Sequence, residues 1–505
     1  MTRLPYPLVP GFNPDPSVVL VDGTYYLVTS SFEYLPGLAL YASSDFETWR
    51  HIGNVATDDE QTRLARVPTG LGVWAPTIRH HDGRFHVIVS IPGSGRRCVV
   101  YSADRAEGPW TAGITIPAVG GIDPDLMWSE DGTAWVTFAG GMLDQQEYPY
   151  EETIRQVPVD LRTGTALGAV RPVWGGTGMK FPEGPHLYHR GSYWYLFIAE
   201  GGTERGHAVT VARSHSPHGP FVGSPHNPLL THRSTNSPVQ NVGHGDLVTL
   251  PDGSDAVVVL GVRPLGFTRA FSPLGRETFA SRVRWVDDWP VADMIQPGSP
   301  QSLLEEFAFR DGADLTDPGW VGVRRLPAEI ARVMGGELRI AGTATGMADG
   351  RPAFIGRRQR HFATSTTVIV DPASGSGGLA MRYDETSFVT VTAERDGEGV
   401  RVRGLGSLPS LRTEYVTTLN TPVVVLGLHT SVPDGAAADT VTLSAAIPGQ
   451  EPVTVAEFDG RFWSAECAAS FTGRVVGVYA MNGTVAFRDF RYLGTDDTSG
   501  RTFSC

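Results

Sequence analysis

The sequence predicts an all-β chain of two domains, a five-bladed β-propeller over residues 1–300 followed by a β-sandwich or jelly roll over residues 301–505. Three observations support this prediction. One hairpin pattern recurs five times in the first 262 residues, and helical periodicity is absent over the same span. The remaining chain lacks the repeat and shows short alternating strands with a turn about every ten residues.

The repeated pattern is a short polar tag with Gly or Pro, an apolar strand, a tight turn, and a second strand rich in aromatic and β-branched residues. Four of the five turns contain Asp-Gly, the strongest short hairpin signal, and the other is Arg190-Gly191. The tag positions 15, 74, 123, 183 and 244 are 59, 49, 60 and 61 residues apart. This spacing is typical of propeller blades, each a four-stranded antiparallel sheet.

The end of the repeat sets the predicted domain boundary. A fifth blade that starts at position 244 should end near residue 301, and a Pro-, Gly- and Ser-containing stretch, QPGSPQS, begins there at Gln296. Beyond it lie strand patterns such as GGELRIAG, SFVTVTAERD and TPVVVLGLH. These patterns favour an antiparallel sandwich over a second propeller.

Composition excludes several classes of partner. The chain carries a net charge of −13 that is spread along its length, which argues against nucleic acid and anionic membranes as partners. No stretch approaches the roughly 20 apolar residues of a membrane helix. The N-terminus, MTRLPYPLVPGFNPDPS, has no apolar signal-peptide region, so we expect a cytoplasmic protein. A homo-oligomer is compatible with the sequence.

The tags are the candidate functional positions. The innermost strand of each blade runs along the axis, so equivalent positions in the blades should converge on one cavity. They are Asp15, Trp74, Asp123, Glu183 and His244. Three carboxylates close together raise one another's pKa, which suits acid–base chemistry. Sugar hydrolysis needs a proton donor for the leaving oxygen and a second carboxylate, and the nearby aromatics Phe32, Tyr34 and Trp74 could stack on sugar faces.

Each acid also has an ordinary interpretation. Asp15 and Asp123 both precede proline, and Asp-Pro is common in turns. Asp125 competes with Asp123 because it lies two residues further along. Glu183 starts a strongly apolar strand, where a lone carboxylate would be expensive to bury. The shared blade position favours a functional role for Asp15, Asp123 and Glu183 together.

The other candidates leave alternatives open. His244 fits a core histidine, a metal ligand or a substrate contact. Trp74 fits a core aromatic or a sugar platform. Arg276, in LGRETF, is expected in the third strand of blade five, where it would form a surface ion pair or reach the cavity as a bidentate contact.

Several motifs in order resemble glycoside hydrolase family 43. The resemblance begins with GFNPDPS and continues through GVWAP, GIDPDL, FPEGPHLY, the AEGGT run and PLGRET. It covers nearly the whole chain. The C-terminal part, including SFTGRVVGVYA, is similar to the concanavalin-like sandwich of the β-xylosidase branch.

The resemblance implies roles for the three acids. Asp15 matches the general base that activates water, and Glu183 matches the general acid that protonates the leaving oxygen. Asp123 matches the carboxylate that orients the acid and tunes its pKa. The family inverts configuration, which requires roughly 6.5–9.5 Å between the base and acid carboxyls.

The resemblance also implies binding residues. Arg276 matches an arginine that contacts the sugar, and Phe32 and Trp74 match aromatics that line the pocket. His244 matches a central histidine, beside which some members hold calcium. No cofactor is expected to be required, and calcium near the axis is the alternative.

The predicted activity is exo-acting β-D-xylosidase on xylo-oligosaccharides, with α-L-arabinofuranosidase as the nearest alternative. A non-catalytic sugar-binding propeller is a third hypothesis. A retaining fructosidase-like propeller is a fourth because NPDPS resembles its first-blade motif, although Gly184 after Glu183 favours inversion. The expected partners are pentose-containing oligosaccharides.

Two departures from the family fall where substrate shape is expected to be recognised. After the third-blade strand the chain has TFAGGMLD, where family xylosidases often have an aromatic-rich segment. In a sandwich loop expected to cap the pocket, Val475 stands where many members have an aromatic residue. We also expect the sandwich to contribute a loop to the pocket entrance, because the linker is short.

Overall fold

The computed structural model describes residues 2–95, 97–140, 153–266, 270–310, 312–468 and 470–497. The chain forms two compact units. The first comprises Met1–Glu33, Gly37–Arg263 and Glu277–Gly298, and the second comprises Tyr34–Pro36, Pro264–Arg276 and Ser299–Cys505. Two short segments from the first 300 residues therefore belong to the second unit. The first unit contains five separate antiparallel sheets, which confirms the predicted five-bladed propeller.

The blades follow one another along the chain. Blade one contains β1 (Ser17–Val21), β2 (Thr24–Val28), β4 (Gly37–Ser43) and β5 (Arg50–Ala56), and the intervening β3 (Tyr34–Leu35) belongs to the second unit. Blade two contains β6 (Pro76–His81), β7 (Arg84–Ile91), β8 (Arg97–Ala103) and β9 (Ile114–Thr115). Blade three contains β10 (Ile122–Trp128), β11 (Ala134–Gly140), β12 (Thr153–Asp160), β13 (Thr165–Ala166) and β14 (Arg171–Trp174). Blade four contains β15 (Glu183–Arg190), β16 (Tyr193–Glu200), β17 (Ala208–Ser214) and β18 (Val222–Gly223). Blade five contains β19 (Gln240–Thr249), β20 (Asp255–Val262), β21 (Glu277–Val286) and β22 (Trp289–Ala292).

The first strand of every blade lies at the axis. Strand β1 contacts β6, β6 contacts β10, β10 contacts β15, β15 contacts β19, and β19 returns to β1. Two of the turns that follow these strands have positive φ at both residues, at Asp22 and Gly23 and at Asp82 and Gly83. In the other three turns only the glycine has positive φ. Two successive positive φ values are the requirement of a tight type I′ hairpin turn.

Apolar side chains between neighbouring blades form the core of the first unit. Ile88 of blade two and Val136 of blade three share one buried cluster. Leu27 of blade one and Val258 of blade five share another, which closes the ring. Each such side chain, fully buried, contributes about 1.5–3 kcal/mol relative to exposure, so the blades are held together mainly by their faces.

The second unit is a β-sandwich, as predicted. Its strands, besides β3, are β23 (Ser302–Phe307), β24 (Val321–Val323), β25 (Ala331–Met334), β26 (Glu337–Ala341), β27 (Phe354–Arg358), β28 (Ala363–Arg382), β29 (Phe388–Asp396), β30 (Gly399–Leu408), β31 (Leu411–Leu419), β32 (Val424–Ser431), β33 (Thr440–Ala446), β34 (Val453–Asp459) and β35 (Val475–Thr495). The start of β28 pairs with β32 and its end pairs with β29. A long strand with register shifts that joins two sheets is a known way to turn a sandwich corner.

Helices are few within the described residues. They are α1 (Asp59–Thr62), α2 (Pro327–Ile330), and 3-10 turns at Leu64–Arg66, Pro92–Ser94, Gly312–Thr316, Gly346–Ala348 and Gly460–Trp463. In the parts of the chain that the structure describes, no helix has the length and apolar character needed to span a membrane.

Candidate active site

The tag residues lie where the innermost strands begin, and their backbone is unusual. Asp15, Asp123 and His244 have φ of 56°, 52° and 53°, and Gly184 beside Glu183 has φ of 56°. The pairing of β10, β15 and β19 shifts register close to these residues. A bulge of this kind redirects a side chain, so three blades use the same local device at the same end of the strand.

Contacts around His244 bring the three acid positions together. His244 Nδ1 lies 4.0 Å from Asp15 Oδ1. A Cβ placed on Gly184 would lie 3.0 Å from the His244 ring, so the residue after Glu183 packs against that ring. The Gly184 amide donates to Asp123 Oδ2 at 3.1 Å. Residues from blades one, three, four and five therefore meet at one point of the axis.

The two acids with buried carboxyl groups are held by specific contacts. Asp15 is 5% exposed and accepts a 2.6 Å hydrogen bond from Ser30 Oγ. Asp123 is 8% exposed and accepts the Gly184 amide. Glu183 is more accessible, because it is only partly buried at the first position of β15. The two environments differ, which is the condition for giving two carboxyl groups different roles.

Two of the predicted aromatics, Phe32 and Trp74, lie on backbone segments that pair with each other, whereas Tyr34 belongs to the second unit. Phe32 forms an isolated bridge with Val73, the residue before Trp74. Phe32 is 2% exposed and packs against Phe12 at 5.9 Å between ring centroids. Trp74 is partly buried, and its indole nitrogen donates to Gly70 O at 2.7 Å. Trp74 is therefore fixed by hydrogen bonding while part of its ring stays accessible.

Arg276 lies in the second unit, immediately before β21, whereas we had expected it within that strand. It is 8% exposed. Its guanidinium lies 5.5 Å from the centre of the Phe471 ring, and Nη2 donates to Phe471 O at 3.3 Å. Ser272, four residues earlier, donates from N and Oγ to Glu466 at 2.7 and 2.8 Å. The second unit thus fixes the conformation of the segment that carries Arg276.

A group of buried polar residues further along the same strands was not predicted from the sequence, apart from Asp125 as an alternative to Asp123. This group, called the axial network below, contains Ser17, Arg79, Asp125, His186, Tyr188 and Asp246. Arg79 lies 3.0 Å from both Asp125 and Asp246, and Nη2 lies 3.0 Å from His186 Nδ1. Every innermost strand contributes at least one member. The available signal was spacing, since Asp125 and Asp246 each follow a tag residue by two positions.

Charge pairing dominates the electrostatics of the axial network. Burial by itself would raise the pKa of Asp246, but the Arg79 guanidinium holds that pKa well below its usual range. Burial would lower the pKa of Arg79, whereas Asp125 and Asp246 raise it above its ordinary value. Burial and the Asp246 carboxylate raise the pKa of Tyr188, so its hydroxyl stays protonated and donates to Asp246. Arg79 and Asp246 are therefore both charged throughout the working pH range.

The residues present do not fit the calcium ion that the family resemblance allows. Among the described residues, no three His, Cys, Asp or Glu side chains converge as a metal site. Calcium requires six to eight oxygen ligands, but the carboxylates of Asp125 and Asp246 already bind Arg79. The nearest candidate, His244, has its Nδ1 atom 4.0 Å from Asp15 Oδ1.

The two departures from the family have different outcomes. Most of the segment after β11, residues 141–152, lies outside the described residues. Val475 is buried and is the first residue of β35, where it pairs with Arg358 and Arg382, so its expected position in a loop is wrong. The preceding residues hold the exposed aromatic, Phe471, which is 45% exposed.

The segment before β15 carries the only lysine of the chain, Lys180. Its side chain is 51% exposed, lies 3.6 Å from Glu204, and stands 5.0 Å from the centre of the Phe181 ring. It precedes Glu183 by three residues and Gly201 donates to its carbonyl at 2.8 Å.

Carboxyl groups gathered at one end of a five-bladed propeller provide the acid and base groups that a glycoside hydrolase needs. Residues 4–290 match the family described as Glycosyl hydrolases family 43, and residues 309–493 match the Beta xylosidase C-terminal Concanavalin A-like domain. The chain therefore belongs to glycoside hydrolase family 43, and its sandwich is of the predicted concanavalin-like type.

Individual relatives agree with this assignment over long alignments. A non-reducing end alpha-L-arabinofuranosidase of Bacteroides ovatus is 35% identical over 78% of this chain and 76% of its own. A xylosidase/arabinosidase of Humicola insolens is 31% identical over 98% of this chain and 97% of its own. The crystal structure of a xylan beta-1,4-xylosidase from Bacillus halodurans superimposes with a TM-score of 0.85, at 26% identity, covering 97% of this chain and 100% of that one.

Proposed function

We propose that this glycosidase removes terminal pentose units from oligosaccharides with inversion, and that its first activity is β-D-xylosidase on xylo-oligosaccharides. The observation that carries the proposal is the meeting of Asp15, Asp123 and the Glu183–Gly184 step around His244. Acid and base must face one sugar from opposite sides. Positions from three blades, brought to one histidine, support that arrangement.

We assign the roles that the family resemblance implies, and the environments of the three acids are compatible with them. Glu183, the more accessible acid, donates its proton to the leaving glycosidic oxygen. Asp15, fixed by Ser30, takes a proton from a water molecule, whose oxygen attacks the anomeric carbon on the opposite face. Asp123 touches the backbone next to Glu183 through the Gly184 amide, so it orients the acid. One proton enters the leaving group and one is taken from water.

The second candidate is α-L-arabinofuranosidase on the same machinery. It is favoured by the names of the relatives, of which one is an alpha-L-arabinofuranosidase and one a xylosidase/arabinosidase. Side-by-side assays on aryl β-D-xyloside and aryl α-L-arabinofuranoside distinguish the two activities. Cleavage of neither substrate would contradict the proposed substrate class.

Glu183→Gln tests the mechanism. The amide cannot donate the catalytic proton, so we expect kcat on xylobiose to fall by about 10²–10⁴-fold with little change in binding. Unchanged hydrolysis would refute the role, and a sugar-binding propeller without catalysis would show no wild-type turnover at all. Proton NMR of the first-formed anomer tests inversion, since a retaining enzyme would release the opposite anomer first.

A further inference from the structure

The axial network ties together the strands that carry the proposed acids. Ser17, Asp125 and Asp246 follow Asp15, Asp123 and His244 by two residues on β1, β10 and β19. Two residues of chain span at most about 7 Å. The network therefore lies within one strand pleat of the acids, and a shift of one of its members moves the proposed acids too.

Arg79 is the centre of this network. Its guanidinium contacts Asp125 on β10 and Asp246 on β19 at 3.0 Å, and His186 on β15 at 3.0 Å. Arg79 itself lies on β6, and Ser17 of β1 is joined through Asp246, to which its hydroxyl donates at 2.6 Å. One side chain thus holds the innermost strands of all five blades.

Arg79 also fixes the imidazole that lies beside His244. A guanidinium has only donors, so His186 Nδ1 accepts from Arg79 and the ring proton is on Nε2. The His186 and His244 rings meet edge to face, with 6.1 Å between their ring centroids. A continuous line of contacts therefore runs from Arg79 through His186 and His244 to Asp15.

The charge of the network is supplied by the protein. Asp125 and Asp246 are 1% and 0% exposed, and buried carboxylates need a nearby positive charge. A bound metal ion is one solution for an axial site. Here the guanidinium occupies the position between the two carboxylates, and a divalent cation beside it would be repelled.

We propose that Arg79 is a positioning residue: it is the built-in cation of the propeller axis, it holds Glu183 and Asp15 in register for catalysis, and it makes a divalent metal ion unnecessary there. The proposal rests on the proposed function, because register matters only for a reaction that uses both groups. It adds Arg79, which the positions of the three acids along the chain do not predict.

The test compares Arg79→Met, Arg79→Lys and the control Arg190→Met. Arg190 lies on β15, like Glu183, but at its far end, and its half-exposed guanidinium pairs with the buried Asp255 carboxylate at 2.7 Å. We expect Arg79→Met to lower kcat by about 10- to 100-fold with KM within about threefold, since small displacements of reacting groups have effects of this size. Arg79→Lys should recover part of kcat, and Arg190→Met should change neither constant.

Leaving-group dependence separates positioning from simple loss of folded protein. A displaced general acid matters most when the leaving group is poor, so Arg79→Met should lose at least about tenfold more kcat on xylobiose than on the 4-nitrophenyl pentoside. A lower fraction of folded enzyme would reduce both rates equally. Equal losses, or no loss, would overturn the proposal.

Wild-type protein supplies a second arm that does not depend on the variants folding. Dialysis against EDTA, followed by added CaCl₂, should leave its melting temperature and kcat unchanged. Inactivation by EDTA with recovery in CaCl₂ would overturn the built-in cation. If wild-type enzyme cleaved neither aryl pentoside, the proposed function would fail. The melting temperatures would still test Arg79 in that case, since a drop of about 5–15 °C is expected in Arg79→Met.

Discussion

Individual residues at the catalytic end adopt backbone conformations that most residues avoid. Asp15, Asp123 and His244 have positive φ, and Asp and His are among the non-glycine residues that tolerate this region best. The same residue types carry the proposed chemistry. Their side-chain contacts therefore serve two purposes, holding the reacting groups and stabilising a backbone that would otherwise relax.

Gly184 offers a test at this scale with a matched control. Gly184→Ala adds a Cβ that would lie 3.0 Å from the His244 ring, at φ of 56°. We expect a loss of about 1–2 kcal/mol in stability from the left-handed backbone, together with a fall in kcat of about tenfold or more as His244 is displaced.

Gly191, at φ of 58° in the turn after β15, has no atom within 4 Å of an added Cβ. Gly191→Ala should show the same loss of stability with kcat unchanged. The measurement is thermal melting and steady-state kinetics of both variants. Equal kcat in the two variants would show that the Gly184–His244 contact is irrelevant to turnover.

The repeat in the sequence was sufficient to predict that these residues lie close together. Asp15, Asp123, Glu183 and His244 occupy equivalent blade positions, and equivalence along the chain becomes proximity at the axis. The partners of Asp125 and Asp246 were not predictable in this way. Arg79 pairs with residues 46 and 167 positions away, and no local pattern specifies which strands a long side chain will bridge.

Among the elements, three neighbouring strands of the second unit are joined by a partly buried histidine, His429. His429 on β32 hydrogen-bonds to Ser365 on β28 and Ser444 on β33 at 3.0 and 2.9 Å. Burial lowers the pKa of His429 to about 4. The unfolded chain, with an ordinary histidine pKa near 6.5, binds more protons between those values, so stability must fall as pH falls through this range.

His429→Gln should therefore flatten the acid sensitivity of the second unit. Between pH 7 and pH 5 we expect His429 to account for about 2 kcal/mol of lost stability in the wild type, and glutamine keeps a donor and an acceptor for the two serines. Scanning calorimetry at both pH values measures the difference. His215→Gln, at an exposed position of the first unit, is the control. Parallel pH profiles of wild type and His429→Gln would contradict the assignment.

Other elements were predictable only as types. Asp-Gly pairs predicted the hairpin turns of the blades, and such turns are present at Asp22-Gly23 and Asp82-Gly83. Strand β3 was not predictable as part of the second unit, since its two residues pair with Gly322 and Val323, almost 300 positions away. Two-residue pairings carry too little sequence signal to be recognised in advance.

For the whole molecule, two segments of the first 300 residues belong to the second unit. We therefore predict that residues 1–300 alone do not behave as an independent enzyme. Segment 264–276 belongs to the second unit, where Glu466 and Phe471 hold Ser272 and Arg276. Removal of residues 301–505 deletes both anchors. We expect the truncated protein to be insoluble or to lose about 10- to 100-fold in kcat/KM, the range for a lost hydrogen bond to a charged group.

A gentler version of this test keeps the chain intact. Glu466→Ala removes the acceptor of both Ser272 hydrogen bonds. Under the sugar-binding role that the family resemblance implies for Arg276, the expected effect is a raised KM for the aryl pentoside. Activity assays on the truncation and on this variant provide the measurement. A soluble, fully active 1–300 fragment would contradict the expectation.

The single lysine has a practical consequence for the whole enzyme. Lys180 is the only side-chain amine and is half exposed. Amine-reactive dyes and activated resins therefore have one side-chain target. That target lies three residues before Glu183. A fluorophore attached there would be a site-specific reporter on the segment before β15, whereas immobilisation through this lysine would tether the enzyme three residues from the proposed general acid.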